Sequence, residues 1–336
     1  MSDVNPSVRR GIDFERTGGL GRFFLRWEWL LVLIFLAVNV VNTSLSEYYL
    51  NLDTFLQTPM SFLDKAFLVL PMTFIIILGN IDISVASNVA LSAVVMATTY
   101  NLGLPMPAAM ALCLVVSTAC GLLNGLIMTR FKELSSVIVT LATMIIYRGI
   151  AYMILENRAA GKFPEWFSWL GWGNVGPIPF IVVAFALCAV AFTVLLHGTA
   201  FGRKVYGMGN NLLATRYSGI RTDSIIITVS ALTGLMAGFT AIFLSSRMGS
   251  TRPNVAMGYE LEVIAMVVLG GVSTAGGKGT MIGPLIAIFI VGFLNYGLGL
   301  VNVQAQVLLI IIGLLLILSV LALNIRFRRR SRHPAA

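Results

Sequence analysis

The chain has 336 residues, of which 57% are hydrophobic and 11% charged; soluble domains carry about 25% charged residues. Charge this sparse excludes a soluble globular protein and points to an all-α integral membrane protein. The net charge of +9, which in a soluble chain would suggest nucleic acid, reads here as basic residues held on one side of a bilayer.

Residues 1–28 form a polar, basic tail. The first apolar run after it has no small-residue cleavage site and reads as a retained span rather than a removed signal peptide. A helix crosses the roughly 30 Å of hydrocarbon with about 20 apolar residues. That window predicts about ten transmembrane helices, at 29–46, 62–79, 84–100, 106–128, 135–155, 178–197, 224–245, 259–273, 280–300 and 306–324. The membrane domain therefore covers 29–324, and 325–336 is a basic tail.

With the N-terminus inside, most of the 23 Lys and Arg fall on one side. The N-terminal tail carries Arg9, Arg10, Arg16, Arg22 and Arg26, and the loop after the fourth span carries Arg130 and Lys132. The stretch 198–223 holds Arg203, Lys204, Arg216 and Arg221, and Lys278 adds one more. Arg326, Arg328, Arg329, Arg330 and Arg332 close the chain. The other side receives Lys65, Arg158, Lys162, Arg247 and Arg252. This asymmetry predicts both termini and 198–223 in the cytoplasm. Arg148 lies within the fifth span and is expected to snorkel or pair. Trp166, Trp169 and Trp172 in the external segment 156–177 read as an interfacial belt in preference to a cap.

Small and polar residues break two spans. Asn80-Ile81-Asp82-Ile83-Ser84 separates two apolar runs, with Asp82 or Ser84 suited to cap the following helix. Gly270-Gly271 and Gly276-Gly277 interrupt the eighth and ninth runs. Irregular backbone at membrane depth needs protein or a watery cavity around it, which hints at a translocation path. Gly121 and Gly125 have the spacing for close helix packing. Ile77–Ile81 resembles Leu269 and its neighbours over 268–272, but both spans run in the same direction, so the match establishes no inverted repeat.

Asn88, Ser92, Asn124, Thr143 and Asn295, with Thr140 and Tyr296, lie within spans. Uncharged amides and hydroxyls suit a neutral polar solute such as a sugar, although for any single one of them interhelical hydrogen bonding is the preferred reading. The stretch 198–223 predicts a short helix over 210–218 that stops at Gly219, outside the bilayer, where it can dock onto a cytoplasmic motor or serve as a solvated connector. Arg247 and Arg252, basic on the disfavoured side, suit docking of an acidic binding protein.

Several chemistries are missing from the sequence. Around Lys278 the phosphate-loop pattern fails at Val272 and Gly279. The three cysteines, Cys113, Cys120 and Cys188, have neither metal nor redox spacing, and the histidines, His197 and His333, stand at a span end and in the tail. No metal site and no nucleophile–base constellation is expected.

Three stretches share a resemblance. Gly79-Asn-Ile-Asp-Ile-Ser-Val-Ala-Ser resembles a signature of sugar-type ABC importer permeases. Tyr259 through Gly271, followed by Ala275-Gly-Gly-Lys-Gly, looks like their second signature. Phe201-Gly-Arg through Gly209-Asn210, and Ala214 to Gly219-Ile220, resemble their cytoplasmic coupling segment. The family is the ribose, xylose, rhamnose and autoinducer-2 branch, and the resemblance covers roughly 70–300. Asn80 and Ala86 depart from it where glycine is usual. The resemblance implies a type II ABC importer fold in the bacterial inner membrane. It also implies a second permease copy or related permease, a periplasmic substrate-binding protein and a separate ATPase subunit. ATP and Mg would sit on that ATPase, and this chain would bind no cofactor. Gly209, Asn210, Ala214, Arg216, Gly219 and Ile220 would couple to the ATPase. The expected cargo is rhamnose or another aldose, with autoinducer-2 as the alternative. A stand-alone secondary transporter is the rival from another class; its ion site would have to use Asp82.

Overall fold

The structure, a computed structural model, describes residues 27–46, 49, 51–303 and single positions between 307 and 321. The basic tails, the first and last of the charge clusters, and most of the predicted span 306–324 lie outside the described residues.

Nearly everything described is helical. In chain order the helices are α1 (Trp27–Leu45), α2 (Leu52–Gln57), α3 (Leu63–Ile77), α4 (Val85–Asn101), α5 (Met106–Arg130) and α6 (Ser136–Leu155). There follow α7 (Glu165–Trp172), α8 (Phe180–His197), α9 (Ala200–Asn210), α10 (Leu212–Tyr217), α11 (Thr222–Met248), α12 (Tyr259–Leu269) and α13 (Ile282–Leu300). A 3₁₀ turn at Thr58–Ser61 leads into α3. Two-residue strands β1 (Ala160–Gly161) and β4 (Ser250–Thr251) pair antiparallel, with Ala160 opposite Thr251, while β2 (Asn174–Val175) and β3 (Ile178–Pro179) form a small hairpin.

Among the described residues, six helices are long and apolar enough to cross a membrane, or seven if the pair bent by 63° at Phe62 counts as one span. The other predicted spans within the described residues are helices shorter than a full crossing. They are α3, α4 and α12, which flank the breaks at Asn80–Ser84 and Gly270–Gly271.

Helix α3 sits at the centre, and all fifteen of its residues are buried. It packs against α11, α12, α8 and α13. Phe67 stacks on Phe243 of α11 at 5.1 Å and meets Phe185 of α8 edge-on at 5.6 Å. The longest helix, α11, lies along α5. Gly121 and Gly125 face Ser230, Gly234 and Ile227 there, where any added methyl would strike the partner's backbone. The glycine spacing thus marks a real helix–helix seam. The outside is apolar, with Leu33, Leu36 and Val40 of α1, Ile145 and Met153 of α6, and Leu187 and Val190 of α8 all exposed. In water such a surface would aggregate; around a bundle of this length it is the face shown to lipid.

Two ends can be told apart by contacts. At one end Trp27, the C-terminus of α3, the segment 270–281 and α9 meet, and Lys132 of the α5–α6 loop reaches Asp223 at 3.0 Å. At the other end β1 meets β4, and the start of α3 pairs with the end of α11 and the start of α12. Helices α3 and α12 therefore run in the same direction, as expected from the span order. The loops that the basic residues assign to one side do lie together.

Candidate functional site

Asn80–Ser84 shows how the chain manages polar backbone between apolar helices. Gly79 takes φ +80° and turns the chain out of α3. Asp82, 2% exposed, accepts hydrogen bonds through Oδ1 from the Ser84 amide at 2.9 Å and the Ser84 hydroxyl at 2.6 Å. Neither residue caps α4 as expected, since Ser84 occupies the cap position without a side-chain bond to the helix. Its hydroxyl is committed to Asp82 and accepts from Asn124 Nδ2 at 2.8 Å. Tyr147 then donates to Asn124 Oδ1 at 3.1 Å or to the Cys120 carbonyl at 2.9 Å. The network ties α4, α5 and α6 around the break.

The expected path residues divide by environment. Asn88 donates to the Ser117 carbonyl of α5 at 3.0 Å and accepts from Ser92 at 3.2 Å. Thr143 returns its hydroxyl to its own helix, to Val139 and Thr140 carbonyls. Asn88, Ser92, Asn124 and Thr143 are all buried. Asn295 stands apart on α13, and its buried Oδ1 has no hydrogen-bond partner among the described residues.

The stretch 198–223 folds as two helices rather than one. Thr199 caps α9 by accepting from the Gly202 amide, and α9 ends at Asn210. Asn211 then adopts extended backbone and caps α10, its Oδ1 accepting from the Ala214 amide at 2.9 Å. The chain turns back at Gly219, at φ +79°, a conformation glycine takes without strain. On α10, Leu212, Leu213 and Tyr217 are exposed, the last at 91%, and Ala214 is exposed beside them. Arg216 lies 3.6 Å from Asp223, and Ile220 packs on the core.

Gly209 and Asn210 are elsewhere. Gly209 packs against the end of α3 and the loop 276–279, and Asn210, itself exposed, reaches the same loop with its amide. Asn210 Nδ2 donates to the Gly277 carbonyl at 3.2 Å, and the Gly277 amide donates to the Ile77 carbonyl at 2.8 Å. Tyr206 donates its hydroxyl to the Gly279 carbonyl at 2.7 Å, and burial pushes that phenol up to about 12, so it stays a neutral donor. His197 Nε2 accepts from the Met281 amide at 3.2 Å. The residues that fail as a phosphate loop thus serve as a backbone platform for α9. Sequence reasoning missed Tyr206 and His197 because their partners are main-chain groups 73 and 84 residues away.

The opposite end carries a cluster of charges. Arg247 Nη2 meets Asp64 at 2.6 Å, with the Asp64 side chain fully buried, and Lys65 pairs with Glu262. The ring of Tyr259 lies 5.3 Å from the Lys65 ammonium. Arg247, expected as a docking residue, is therefore committed to an internal partner, whereas Arg252 is exposed. Arg148 pairs rather than snorkels, donating to the Pro253 and Val255 carbonyls at 2.6 and 2.8 Å. The tryptophan segment forms the short helix α7. It buries Phe167, leaves its three indoles exposed and joins the bundle through Trp172 Nε1, which donates to the Arg247 carbonyl at 2.9 Å.

An apolar-coated helical bundle with broken central spans and a short helix projecting from one end defines a multi-span membrane permease. The family described as branched-chain amino acid transport system / permease component matches residues 56–320, and the chain belongs to it. It is 33% identical to the ribose import permease protein RbsC of Escherichia coli K12, over 90% of this chain and 97% of that protein. It is 31% identical to the autoinducer 2 import system permease protein LsrD of Salmonella typhimurium LT2, over 92% and 98% of the two chains. These relatives lie in the branch that the three motifs resemble. No solved structure matches the chain.

Proposed function

We propose that this chain is the transmembrane permease of an ATP-driven importer for a sugar or sugar-like solute. It would work in the bacterial inner membrane with both termini cytoplasmic. Its partners would be a separate ATPase subunit, a periplasmic binding protein and a second permease, either another copy or a related chain. The observation that carries this reading is α10. A soluble-facing helix that exposes Leu212, Leu213 and Tyr217 beside Arg216 has a surface made for a protein partner. The phosphate-loop pattern around Lys278 fails at Val272 and Gly279, and the energy would come from that partner.

The cargo class rests on the ribose and autoinducer-2 relatives and on uncharged polar groups inside the bundle. Ribose, rhamnose and autoinducer-2 are all polyhydroxylated and neutral, and no residue here selects rhamnose among them. The stand-alone secondary transporter is the weaker reading, because Asp82, its one ion-site candidate, already holds the turn into α4 through Ser84.

The test is reconstitution in lipid with the ATPase and binding protein, followed by uptake of labelled ribose, rhamnose and autoinducer-2. ATP-dependent uptake of one of them is expected. Uptake that needs an ion gradient and proceeds without ATPase would refute the proposal.

A further inference from the structure

Three segments meet backbone to backbone at the end where α10 projects. A methyl on Gly209 would overlap the Ile77 carbonyl oxygen and the Gly277 nitrogen. A methyl on Gly276 would come within 3.0 Å of the Gly209 carbonyl oxygen and 3.1 Å of the Gly79 Cα. No side chain separates α9, the end of α3 and the loop that leaves α12. The contact is also bonded, by Gly277 to Ile77 and by Asn210 and Tyr206 to the carbonyls of Gly277 and Gly279.

Gly79 and Gly277 themselves take φ +80° and +71°, so the two broken spans turn at the place where α9 touches them. Main chain packed on main chain has no rotamers to absorb a displacement. A shift of α9 along its axis must therefore move both turns. The far end of the same loop is also held: Trp27 Nε1 donates to the Leu269 carbonyl at 2.9 Å, and Gly271 packs on the indole.

We propose that Gly209, through its contact with Ile77 and Gly277, is a positioning residue that transmits movement of α10 into the two broken spans, and does not itself touch the ATPase. This inference rests on the reading of α10 as the ATPase-docking helix. Ala214, Arg216 and Tyr217 face the partner; Gly209 and Asn210 form the inner half of the linkage. Trp27 is a built-in reporter, because its indole is bonded to the end of α12.

The experiment uses the full complex in lipid, with Trp29, Trp166, Trp169 and Trp172 of this chain and every tryptophan of the ATPase and binding protein replaced by Phe, so that emission comes from Trp27. Addition of ATP with binding protein is expected to shift that emission in this reference chain. Gly209→Ala is expected to keep ATPase association, lose the shift and lower binding-protein-stimulated hydrolysis about tenfold, within the usual range of coupling energies. Asn210→Ala, which removes the amide's bonds to the Gly277 and Tyr206 carbonyls and adds no volume, is expected to weaken stimulation roughly twofold to threefold and to reduce the shift. It carries the test if Gly209→Ala does not assemble. An unresponsive Trp27 in the reference chain overturns the inference, and so does a full response in Gly209→Ala or, where that variant does not assemble, in Asn210→Ala. Failure of the ATPase to associate with the reference chain instead refutes the docking role of α10, and the inference with it.

Discussion

At the scale of residues, Asp64 and Arg247 show how a charge is kept inside this bundle. The Asp64 side chain is fully buried and meets Arg247 at 2.6 Å. Removing one member of a buried pair leaves the other charge unpaired, at a cost of roughly 3–5 kcal/mol. Asp64→Ala should therefore lower the thermal midpoint of the detergent-solubilised protein sharply. Asp64→Ala combined with Arg247→Met should recover much of the loss, because no charge is then stranded. Equal destabilisation by single and double variants in thermal unfolding would show that the pair contributes only packing. The same geometry decides how external docking is tested. Reversing Arg247 would break the core, so Arg252→Glu is the informative change. It should slow binding-protein association at low salt, where steering by exposed charge is strongest, and leave stability untouched. Unchanged association kinetics would remove Arg252 from the interface.

At the scale of elements, α10 is short, six residues held between two devices: the Asn211 cap and the Gly219 turn. A β-branched side chain tolerates positive φ poorly, and space around Gly219 is open, so Gly219→Val should act through backbone strain alone. Ala214→Trp should leave the helix intact and overfill the partner's cleft. Both variants should insert normally and lose ATPase association or binding-protein-stimulated hydrolysis. Arg216→Ala should lose less, since Asp223 shares its charge. Subunit stoichiometry of purified complexes and their hydrolysis rates check this. Assembly and coupling of Ala214→Trp at the parental level would reduce α10 to a connector.

At the scale of the whole molecule, the expected orientation follows from charge asymmetry, and the clustering of the loops adds a geometric frame. Loops 131–135 and 198–221 belong to one end; 156–179 and 249–258 belong to the other. On a cysteine-free background, a cysteine at 216 should resist an impermeant reagent in intact cells, and cysteines at 158 and 252 should react. Labelling at 216 would invert the topology and remove the ATPase from the side where α10 stands.

The sequence by itself determined the class. Apolar runs of helical length, sparse charge and one-sided basic residues need no partner segment to be read, because bilayer thickness and surface charge act on each run separately. It also marked Gly219 as a turn, since that conformation is a property of the residue, and Gly121 with Gly125 as a seam. Only the tertiary structure decided where the long-range partners are. Asn88 and Asn124 are committed to Ser117 and Ser84, and Arg247 belongs to Asp64. Gly209 packs on Ile77 and Gly277, and Asn210 reaches the Gly277 carbonyl from an exposed position. A polar or small residue carries no sign of whether it serves solute, partner or neighbouring helix. That is fixed by which backbone lies opposite, and here that backbone comes from segments far apart in the chain.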